Sequence, residues 1–556
     1  MVVSTEDMRV IQAQSSSVIA HFCDQLRVVE HINASVKWDP VRSEMSPGEA
    51  IKALLINLLV RREPLYRIET FYAHMDIPQL FGKAWQAEDF HDDRLGAALE
   101  KLAKGDLSRA YHAIAWDALE REGIVLDQAH VDTTSLSVQG AYEQASGDDA
   151  ALRIDYGYSK DKRNDLKQIL FGLGSVQGLP LFADVMAGNT SDKTWNGSFA
   201  IRMAELVPPE QLREMIVIAD SAMVTEENLN LYADRPFISR LPETYSLCHE
   251  LKEAAFEQEA NWVSVGALTD KPGAATYRIQ GMSSELYGRT YRFAVVQSSA
   301  LDRRKQQKID RDIVKERASL DKAVGEWAAT EYHCETDAAK QLAEHLKIRT
   351  KYHQLQGQVE RIEKIKRPRG RPAKDVVCPT ETVYVCRCSA VPDEARIRRA
   401  REHESTFVLI SNVKEEREKS VLGLLRRYKS QIEVENLFRA LKHPYFVHGV
   451  FLKNDLRVLG LSYVLVIGLL LYALLQRRVR LQIAKSRTPL RLYGKDFYSP
   501  TGKTLLEQFE SAHVISIMDP QTQKMTKIVK LSESARQILQ WLGLDESVYL
   551  NREPSG

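Results

Sequence analysis

Apolar residues recur at helical spacing over roughly the first 120 residues of the chain. Ser46-Pro47-Gly48-Glu49 is a helix-start pattern, because Ser caps, Pro suits the first helical position and Glu three residues later closes a capping box. The apolar run that follows and the later periodic segments occupy residues 50–60, 64–74, 92–103 and 107–122. The pattern predicts a helical N-terminal domain over residues 1–122, and DNA binding is its expected role.

The pattern then changes to strand-like alternation. Residues 124–138 alternate and are rich in Val, Thr and Ser, which predicts a strand with Asp132 in its middle. The next predicted elements are strands at 168–176 and 179–188, a helix capped by Ser191, a short strand that ends at Asp220, and a strand at 237–244. This order is typical of a ribonuclease-H-like α/β core, whose first part spans residues 123–245.

A mixed insertion domain is predicted over residues 246–404. It begins with strand-like pieces and continues with a charged region, residues 301–366, that is predicted to be a helical hairpin. Steps of four and three residues predict a coiled-coil seam through Ile348, Tyr352, Leu355, Val359 and Ile362. The hairpin is expected to project or brace, and direct DNA contact by the seam is the alternative. The second part of the core is predicted over residues 405–480, followed by a C-terminal region over 481–556.

Residues 422–443, LGLLRRYKSQIEVENLFRALKH, are predicted to form one helix. Its apolar side comprises Leu425, Ile432, Leu437 and Leu441. Tyr428, Gln431, Glu435 and Lys442 share a polar stripe, since steps of three, seven and fourteen residues return to within roughly 60° of the start. A solvated polar face is the alternative interpretation of that stripe.

Residues 458–475 are 18 residues without a charged side chain. That length is the lower limit for a membrane-spanning helix. Arginines flank both ends, so there is no strong charge asymmetry, and a buried core helix is predicted, with no membrane. The composition is that of a soluble globular protein: 44% hydrophobic, 27% charged and a net charge of +1. Six cysteines without a C-x-x-C pair form no disulfide framework. The expected location is the cytoplasm, in association with the nucleoid.

Residues 364–374 form a basic tract that includes Lys366 and Arg367. Its core, Arg369-Gly370-Arg371-Pro372, resembles an AT-hook, in which an extended Arg-Gly-Arg lies in the minor groove of DNA. We therefore expect Lys366, Arg367, Arg369 and Arg371 to contact DNA. A plain basic linker explains the composition as well. Lys160 lies in a second charged stretch, which either lines the DNA path or is simply solvated.

Asp132, Asp220 and Glu435 are candidates for one site. The two aspartates belong to strands that we expect to be central neighbours, and three converging acids would repel one another. A pair of divalent ions relieves that repulsion, and hard oxygen ligands suit Mg²⁺. Two such ions about 4 Å apart activate a water or a 3′-hydroxyl for in-line phosphoryl transfer. The spacing alone is weak evidence, because the chain has 75 acids.

The segment Tyr428-(2)-Gln431-(3)-Glu435-(6)-Lys442 resembles the Y-(2)-R-(3)-E-(6)-K signature of a large family of bacterial insertion-sequence DDE transposases. Further blocks at residues 46–71, 156–173, 179–192 and 217–229, and the stretch around Asp132, are also similar to that family. The resemblance implies a ribonuclease-H-like core and cut-and-paste movement of DNA. It makes Asp132, Asp220 and Glu435 the ligands of two Mg²⁺ ions, for which Mn²⁺ substitutes, and Tyr428 and Lys442 contacts to DNA phosphates.

One position departs from the signature: Gln431 stands where the family has arginine. An amide donates a hydrogen bond but carries no charge, so a weaker DNA contact is expected there. The resulting hypothesis is a transposase that cleaves the ends of its own insertion sequence and joins them to target double-stranded DNA, acting as a homodimer on paired ends. The alternative is a domesticated or inactive transposase-derived protein that binds DNA without catalysis.

Overall fold

A computed structural model describes residues 8–140, 142, 152–300, 303–366, 380–418, 420–444, 446, 452, 454–518 and 525–550. The chain divides into two compact units. The first unit comprises Met1–Arg240, Ser411–Arg417 and Arg426–Gly556, and the second comprises Leu241–Ile410 and Glu418–Leu425. Both helices and strands occur in each unit, so the architecture is mixed α/β.

The N-terminal part of the first unit is helical after one short strand. Its elements are β1 (Met8–Ile11), α1 (Ser16–Gln25), α2 (Val28–Ser35), α3 (Pro47–Val60), α4 (Ile68–Tyr72), α5 (Ile77–Phe81), α6 (Asp92–Ala103) and α7 (Leu107–Glu122). The predicted capping box of α3 is confirmed: Ser46 Oγ accepts from the Glu49 amide at 3.2 Å, and the Glu49 carboxylate accepts from the Ser46 amide at 2.7 Å. Strand β1 was not predicted.

A five-stranded mixed sheet follows in the first unit. Its elements and the helices between them are β2 (Gln128–Ser137), β3 (Gln168–Val176), β4 (Leu179–Ala187), α8 (Asp192–Leu206), α9 (Pro209–Glu214), β5 (Ile216–Ala219), α10 (Glu226–Leu231) and β6 (Phe237–Arg240). The strand order in this unit is β4-β3-β2-β5-β6. Strands β2, β3 and β4 are antiparallel neighbours, whereas β5 lies parallel to both β2 and β6.

The predicted strands of this sheet are confirmed in order and nearly in extent. The turn between β3 and β4 lies at Gln177 and Gly178, whose φ angles of 48° and 80° are those of a tight hairpin turn. Ser191 caps α8 as predicted, with its Oγ accepting from the Thr194 amide at 3.1 Å.

The second unit holds two sheets and several helices. Its elements are α11 (Ser246–Glu257), β7 (Val263–Ala267), β8 (Thr276–Leu286), β9 (Arg289–Ser298), α12 (Arg303–Ala329), β10 (Glu331–Tyr332), α13 (Glu335–Leu346), β11 (His353–Ile365), β12 (Thr380–Pro392), α14 (Glu394–Glu404) and β13 (Thr406–Ser411). One sheet has the order β13-β9-β8-β7, and the other has the order β10-β12-β11.

The predicted coiled-coil seam is wrong. Leu355, Val359 and Ile362 lie on β11, which pairs with β12 along its whole length from His353 to Ile365. The charged helical region ends at Leu346, so only α12 and α13 are helical. Apolar steps of three and four residues fit a helix, but here thirteen consecutive pairs with a distant strand determine the conformation.

The remaining elements lie at the C-terminal end of the chain. They are α15 (Val421–Lys429), α16 (Ile432–Leu441), α17 (Asp455–Ser486), β14 (Leu490–Leu492), β15 (Lys495–Phe497), α18 (Gly502–Glu507), β16 (His513–Met518), β17 (Met525–Lys530) and α19 (Glu533–Trp541). Strand β16 pairs with both β1 and β17. The prediction of a single helix over residues 422–443 is wrong. The helix is interrupted at Ser430 and Gln431, between the end of α15 and the start of α16.

The break also changes the predicted apolar side. Leu425, Leu437 and Leu441 are buried, but Ile432 is 52% exposed. Val434 and Phe438 are buried instead, so the apolar face of α16 starts anew after the break.

Helix α17 contains the long uncharged run. It is the one helix among the described residues that is long and apolar enough to cross a membrane, and 94% of its apolar window is buried inside the protein. Such burial is what a core helix shows, since a helix that is apolar all round must be covered by other elements.

Candidate active site

Asp132 and Asp220 lie side by side on the sheet of the first unit. Val131 on β2 pairs with Ala219, the last residue of β5, so Asp132 is the next residue of β2 and Asp220 directly follows β5. The Thr133 amide donates to Asp132 Oδ1 at 2.7 Å, and the Ala222 amide donates to Asp220 Oδ1 at 3.1 Å. The backbone of two parallel strands thus fixes both carboxylates at the same level.

A lysine and a third aspartate complete this group. Lys160 Nζ lies 3.7 Å from Asp132 Oδ1 and 3.4 Å from Asp192 Oδ2. It also donates to the Thr133 carbonyl at 2.7 Å and to the Thr133 hydroxyl at 2.8 Å. The Thr133 hydroxyl in turn donates to Asp192. The sequence left Lys160 either lining the DNA path or solvated, and the structure places its ammonium against Asp132 and Asp192. Asp192 is the first residue of α8, which Ser191 caps.

The break between α15 and α16 is anchored to β2. Ser430 Oγ donates to the Arg427 carbonyl at 2.7 Å and lies 3.0 Å from His130 Nε2. Arg427 donates to Gln128 at 2.8 Å. Gln128 and His130 stand on the same face of β2 as Asp132, because side chains alternate along a strand. The break is therefore held beside the carboxylates. A serine side chain that bonds to backbone also competes with helical hydrogen bonding.

Tyr428 and Glu435 flank this break. The pKa of the Tyr428 phenol is raised to about 12, mainly by burial, and the negative charges of Asp220, Asp132 and Glu435 add to the rise while Arg240 opposes it. The phenol thus lies within electrostatic range of all three candidate acids. At neutral pH it is protonated and can donate a hydrogen bond. We call Asp132, Asp192 and Asp220 the acid cluster, and Glu435 is an exposed residue of α16.

The charged forms of Asp132 and Asp220 are disfavoured even though the Lys160 ammonium lies nearby. Burial raises the pKa of Asp132 to about 6, although the Lys160 ammonium and the Thr133 amide oppose the rise, and the charges of Asp220 and Asp192 add to it. The pKa of Asp220 is also raised, mainly by burial, and the charge of Asp192 contributes. Two half-buried neighbouring carboxylates of this kind attract a cation.

The residues predicted to contact DNA lie in different environments. Lys442 donates to both oxygens of Asp161, at 2.7 and 2.8 Å. Gln431 lies at the break, immediately before α16. Lys366 is exposed, with its Nζ 3.6 Å from Glu381. Arg367, Arg369 and Arg371 lie outside the described residues.

The donor set suits Mg²⁺ better than it suits a softer metal. Its side chains offer carboxylate oxygens, and Thr133 adds a hydroxyl, all of them hard ligands. Among the described residues, however, Asp132, Asp220 and Glu435 are not one of the groups whose ligand atoms all lie within 4.8 Å of one another.

Three neighbours of the candidate acids were not assigned to the site by sequence reasoning. His130 and Ser430 hold the break beside β2, and Asp161 pairs with Lys442. The two-residue step from His130 to Asp132 places both side chains on one strand face, which was a usable signal. The partners of Ser430 and Lys442 lie about 300 residues away in the chain, and no local pattern reveals them.

Comparison with known proteins adds little. Residues 9–116 match a family model described as a domain of unknown function (DUF4277). No curated protein matches the chain. A cryo-EM structure of a piggyBac transposase synaptic complex with hairpin DNA is similar over 90% of this chain and 70% of that chain, with 8% sequence identity and a TM-score of 0.31. The family match covers only the helical N-terminal part of the chain.

Proposed function

We propose that this protein is a DDE transposase, a Mg²⁺-dependent endonuclease and strand transferase that cuts the ends of its own insertion sequence and joins the 3′-hydroxyls to target DNA. The observation that carries the proposal is the level placement of Asp132 and Asp220 on adjacent parallel strands, with Tyr428 in electrostatic range of both and of Glu435. The sequence resemblance to insertion-sequence transposases supports the same assignment.

The topology of the first unit supports a ribonuclease-H-like core. Three antiparallel strands, β2 to β4, are followed by β5 and β6, which lie parallel to β2 in the order β4-β3-β2-β5-β6. In an open α/β sheet, sites form beyond the carboxyl ends of parallel strands. Asp220 directly follows β5 at that end.

Asp132, Asp220 and Glu435 would hold two Mg²⁺ ions, or Mn²⁺ in their place. When bound, the ions supply Lewis-acid activation of the attacking oxygen and charge stabilisation of the leaving oxygen. The protein's own groups position the DNA. The protonated Tyr428 hydroxyl donates to a phosphate oxygen, Lys442 pairs with a second phosphate when it leaves Asp161, and Gln431 donates without charge.

The partner is double-stranded DNA, at the terminal inverted repeats and at the target. A homodimer on paired ends follows from the need to act at two ends. The basic tract with Lys366, Arg367, Arg369 and Arg371 would add phosphate or minor-groove contacts.

The test is cleavage of a labelled duplex that carries the element's own end, in Mg²⁺ and in Mn²⁺. Wild type should cut, Glu435→Gln should not, and Glu510→Gln, an exposed glutamate of the same unit, should cut normally. Equal cutting by wild type and Glu435→Gln would overturn the assignment of Glu435.

Binding to DNA without cutting is the second candidate, and the position of Lys160 favours it. An ammonium that already contacts Asp132 and Asp192 compensates the acids without a metal ion. Tight binding of the end duplex by wild type, with no cutting in either metal, would select this function.

A further inference from the structure

A second group of possible metal ligands lies in the second unit. His249 and Glu253 are four residues apart on α11, so they share one face of the helix. His403 lies near the end of α14. One ligand atom from each of these residues lies within 4.8 Å of the other two. We call these three residues the histidine cluster.

The distances within the histidine cluster are those of a tetrahedral zinc site. His249 Nδ1 lies 3.2 Å from His403 Nε2, and Glu253 Oε1 lies 3.6 Å from the same nitrogen. Ligand atoms bound tetrahedrally at about 2.0–2.1 Å from Zn²⁺ are about 3.3 Å apart. The two measured separations bracket that value.

Hydrogen bonds among the three side chains do not account for all of these close approaches. His403 Nε2 faces two ligand atoms, and a ring nitrogen forms one hydrogen bond, as a donor or as an acceptor. The 3.6 Å separation from Glu253 Oε1 is too long for a hydrogen bond. A cation between the three atoms would satisfy all of them.

The surroundings orient the ligands. Arg399, four residues before His403 on α14, donates to Glu253 Oε2 at 2.9 Å and so leaves Oε1 for the metal. The ring of Phe256 stacks on that of His403, with centroids 6.3 Å apart. Such outer contacts fix the orientation of metal ligands. His249 is exposed, so a water has access to a fourth position.

Charges beside the cluster have opposing effects. The positive charges of Lys252 and Arg399 disfavour a dication. Glu253 offsets one of them.

We propose that His249, Glu253 and His403 form a Zn²⁺ site that joins α11 to α14, with one open position for water. Nitrogen ligands with one carboxylate suit Zn²⁺ and Co²⁺, in contrast to the all-oxygen acid cluster. The other close group among the described residues, His91, Asp92 and Asp93, does not qualify, because it consists of consecutive residues at the start of α6 where His91 caps the helix.

The test is titration of the metal-stripped full chain with Zn²⁺, followed calorimetrically in excess Mg²⁺ so that hard-oxygen sites are occupied. One equivalent should bind to wild type. His249→Ala should weaken binding at least about a hundredfold, and Arg399→Gln about tenfold, since loss of an outer contact costs ten- to hundredfold. Glu250→Gln, an exposed neighbour on α11, and His333→Gln should bind as wild type does.

Two further measurements distinguish loss of the metal site from misfolding of a variant. Co²⁺ in place of Zn²⁺ should give the visible absorption of a tetrahedral nitrogen and oxygen site, and Zn²⁺ should raise the melting temperature of wild type but not of His249→Ala. Absence of binding, unchanged affinity in His249→Ala, or the near-ultraviolet band of a cobalt–thiolate bond would each overturn it. None of these measurements involves DNA cleavage, so the outcome is independent of the proposed transposase activity.

Discussion

The acid cluster and the histidine cluster are two candidate metal sites built in different ways. The two aspartates at the centre of the acid cluster are set by strand pairing, in which Val131 pairs with Ala219. The histidine cluster depends on how two helices pack, with His249 and Glu253 on one helix and His403 on the other. Backbone pairing fixes the first, whereas side-chain packing fixes the second.

The clusters also differ in charge and ligand type. The acid cluster has only oxygen ligands, and it gains its compensating charge from Lys160. The histidine cluster has two ring nitrogens and one carboxylate, beside the cations of Lys252 and Arg399. Hard ions therefore suit the first and borderline ions the second. Each cluster can be perturbed without the other, which makes the difference testable.

The largest expected effect is the loss of DNA cutting in Asp132→Asn. Removal of a charged ligand should lower the cleavage rate at least about a thousandfold, on the scale of losing a key electrostatic group of an active site. Zn²⁺ binding should stay at the wild-type level. The measurements are a cleavage time course and a Zn²⁺ titration on the same preparation.

Asp165→Asn is the matched control, because Asp165 is an exposed aspartate paired with Arg163. It should cut at the wild-type rate. Loss of Zn²⁺ binding in Asp132→Asn would show that the two clusters are not independent.

A second effect is a fall in stability with rising pH when no metal is present. The pKa of Asp132 is raised to about 6 in the folded state, so its carboxyl holds a proton there that the unfolded chain releases near pH 4. Stability contributed by the protonated form is therefore complete below pH 4 and lost as the pH rises through 6. From pH 4 to pH 7, wild type should lose up to about 3 kcal/mol relative to Asp132→Asn.

The measurement is urea unfolding in chelator across that range, with His249→Ala for comparison. His249→Ala should follow the wild-type pH dependence. Added Mg²⁺ should abolish the loss. A wild-type curve parallel to that of Asp132→Asn would contradict the burial of this carboxylate.

Much of the sheet was predictable because its signals are local. The β3–β4 hairpin follows from two apolar runs joined by Gln177-Gly178, a turn that needs positive φ. Asp132 and Asp220 were predicted to be neighbours from their places in these strands. By contrast, the spacing of Leu355, Val359 and Ile362 suits a helix, and only pairing with β12 reveals a strand.

Long-range contacts explain the other failures. The break after Tyr428 depends on Ser430 meeting His130, and the histidine cluster joins residues about 150 positions apart. The residue types do not specify how two helices are aligned. Sequence reasoning therefore identified the acids on strands and missed the cluster between helices.

A third, smaller effect concerns the anchor of the break. Burial lowers the pKa of His130 to about 4, so its ring is neutral at pH 7, and Nε2 lies 3.0 Å from Ser430 Oγ. Ser430→Ala should lower the free energy of unfolding by about 1 kcal/mol, the typical value of one hydrogen bond. It should also slow cutting, because Tyr428 and Glu435 flank the break.

The stability change is measured from the midpoint of urea unfolding, provided that the dependence of the free energy of unfolding on urea concentration is unchanged. Ser511→Ala, at an exposed serine of the same unit, should have no effect. Normal cutting by Ser430→Ala, despite the stability loss, would mean that the break is not needed to hold Glu435 in place.

The smallest expected effect comes from restoring the arginine of the signature. Gln431 stands at the break beside Tyr428, where an added guanidinium would reach DNA phosphate near the acid cluster. Gln431→Arg should tighten binding of the end duplex by about fivefold at most, since an exposed ion pair contributes up to about 1 kcal/mol. The slope of the logarithm of the binding constant against the logarithm of the salt concentration should become more negative by about one, because one more phosphate is neutralised.

Binding is measured in chelator. The control is Asn436→Arg, which adds a charge on α16. Equal gains in both variants would indicate general attraction to DNA, whereas a gain in Gln431→Arg alone would place a phosphate beside the acid cluster.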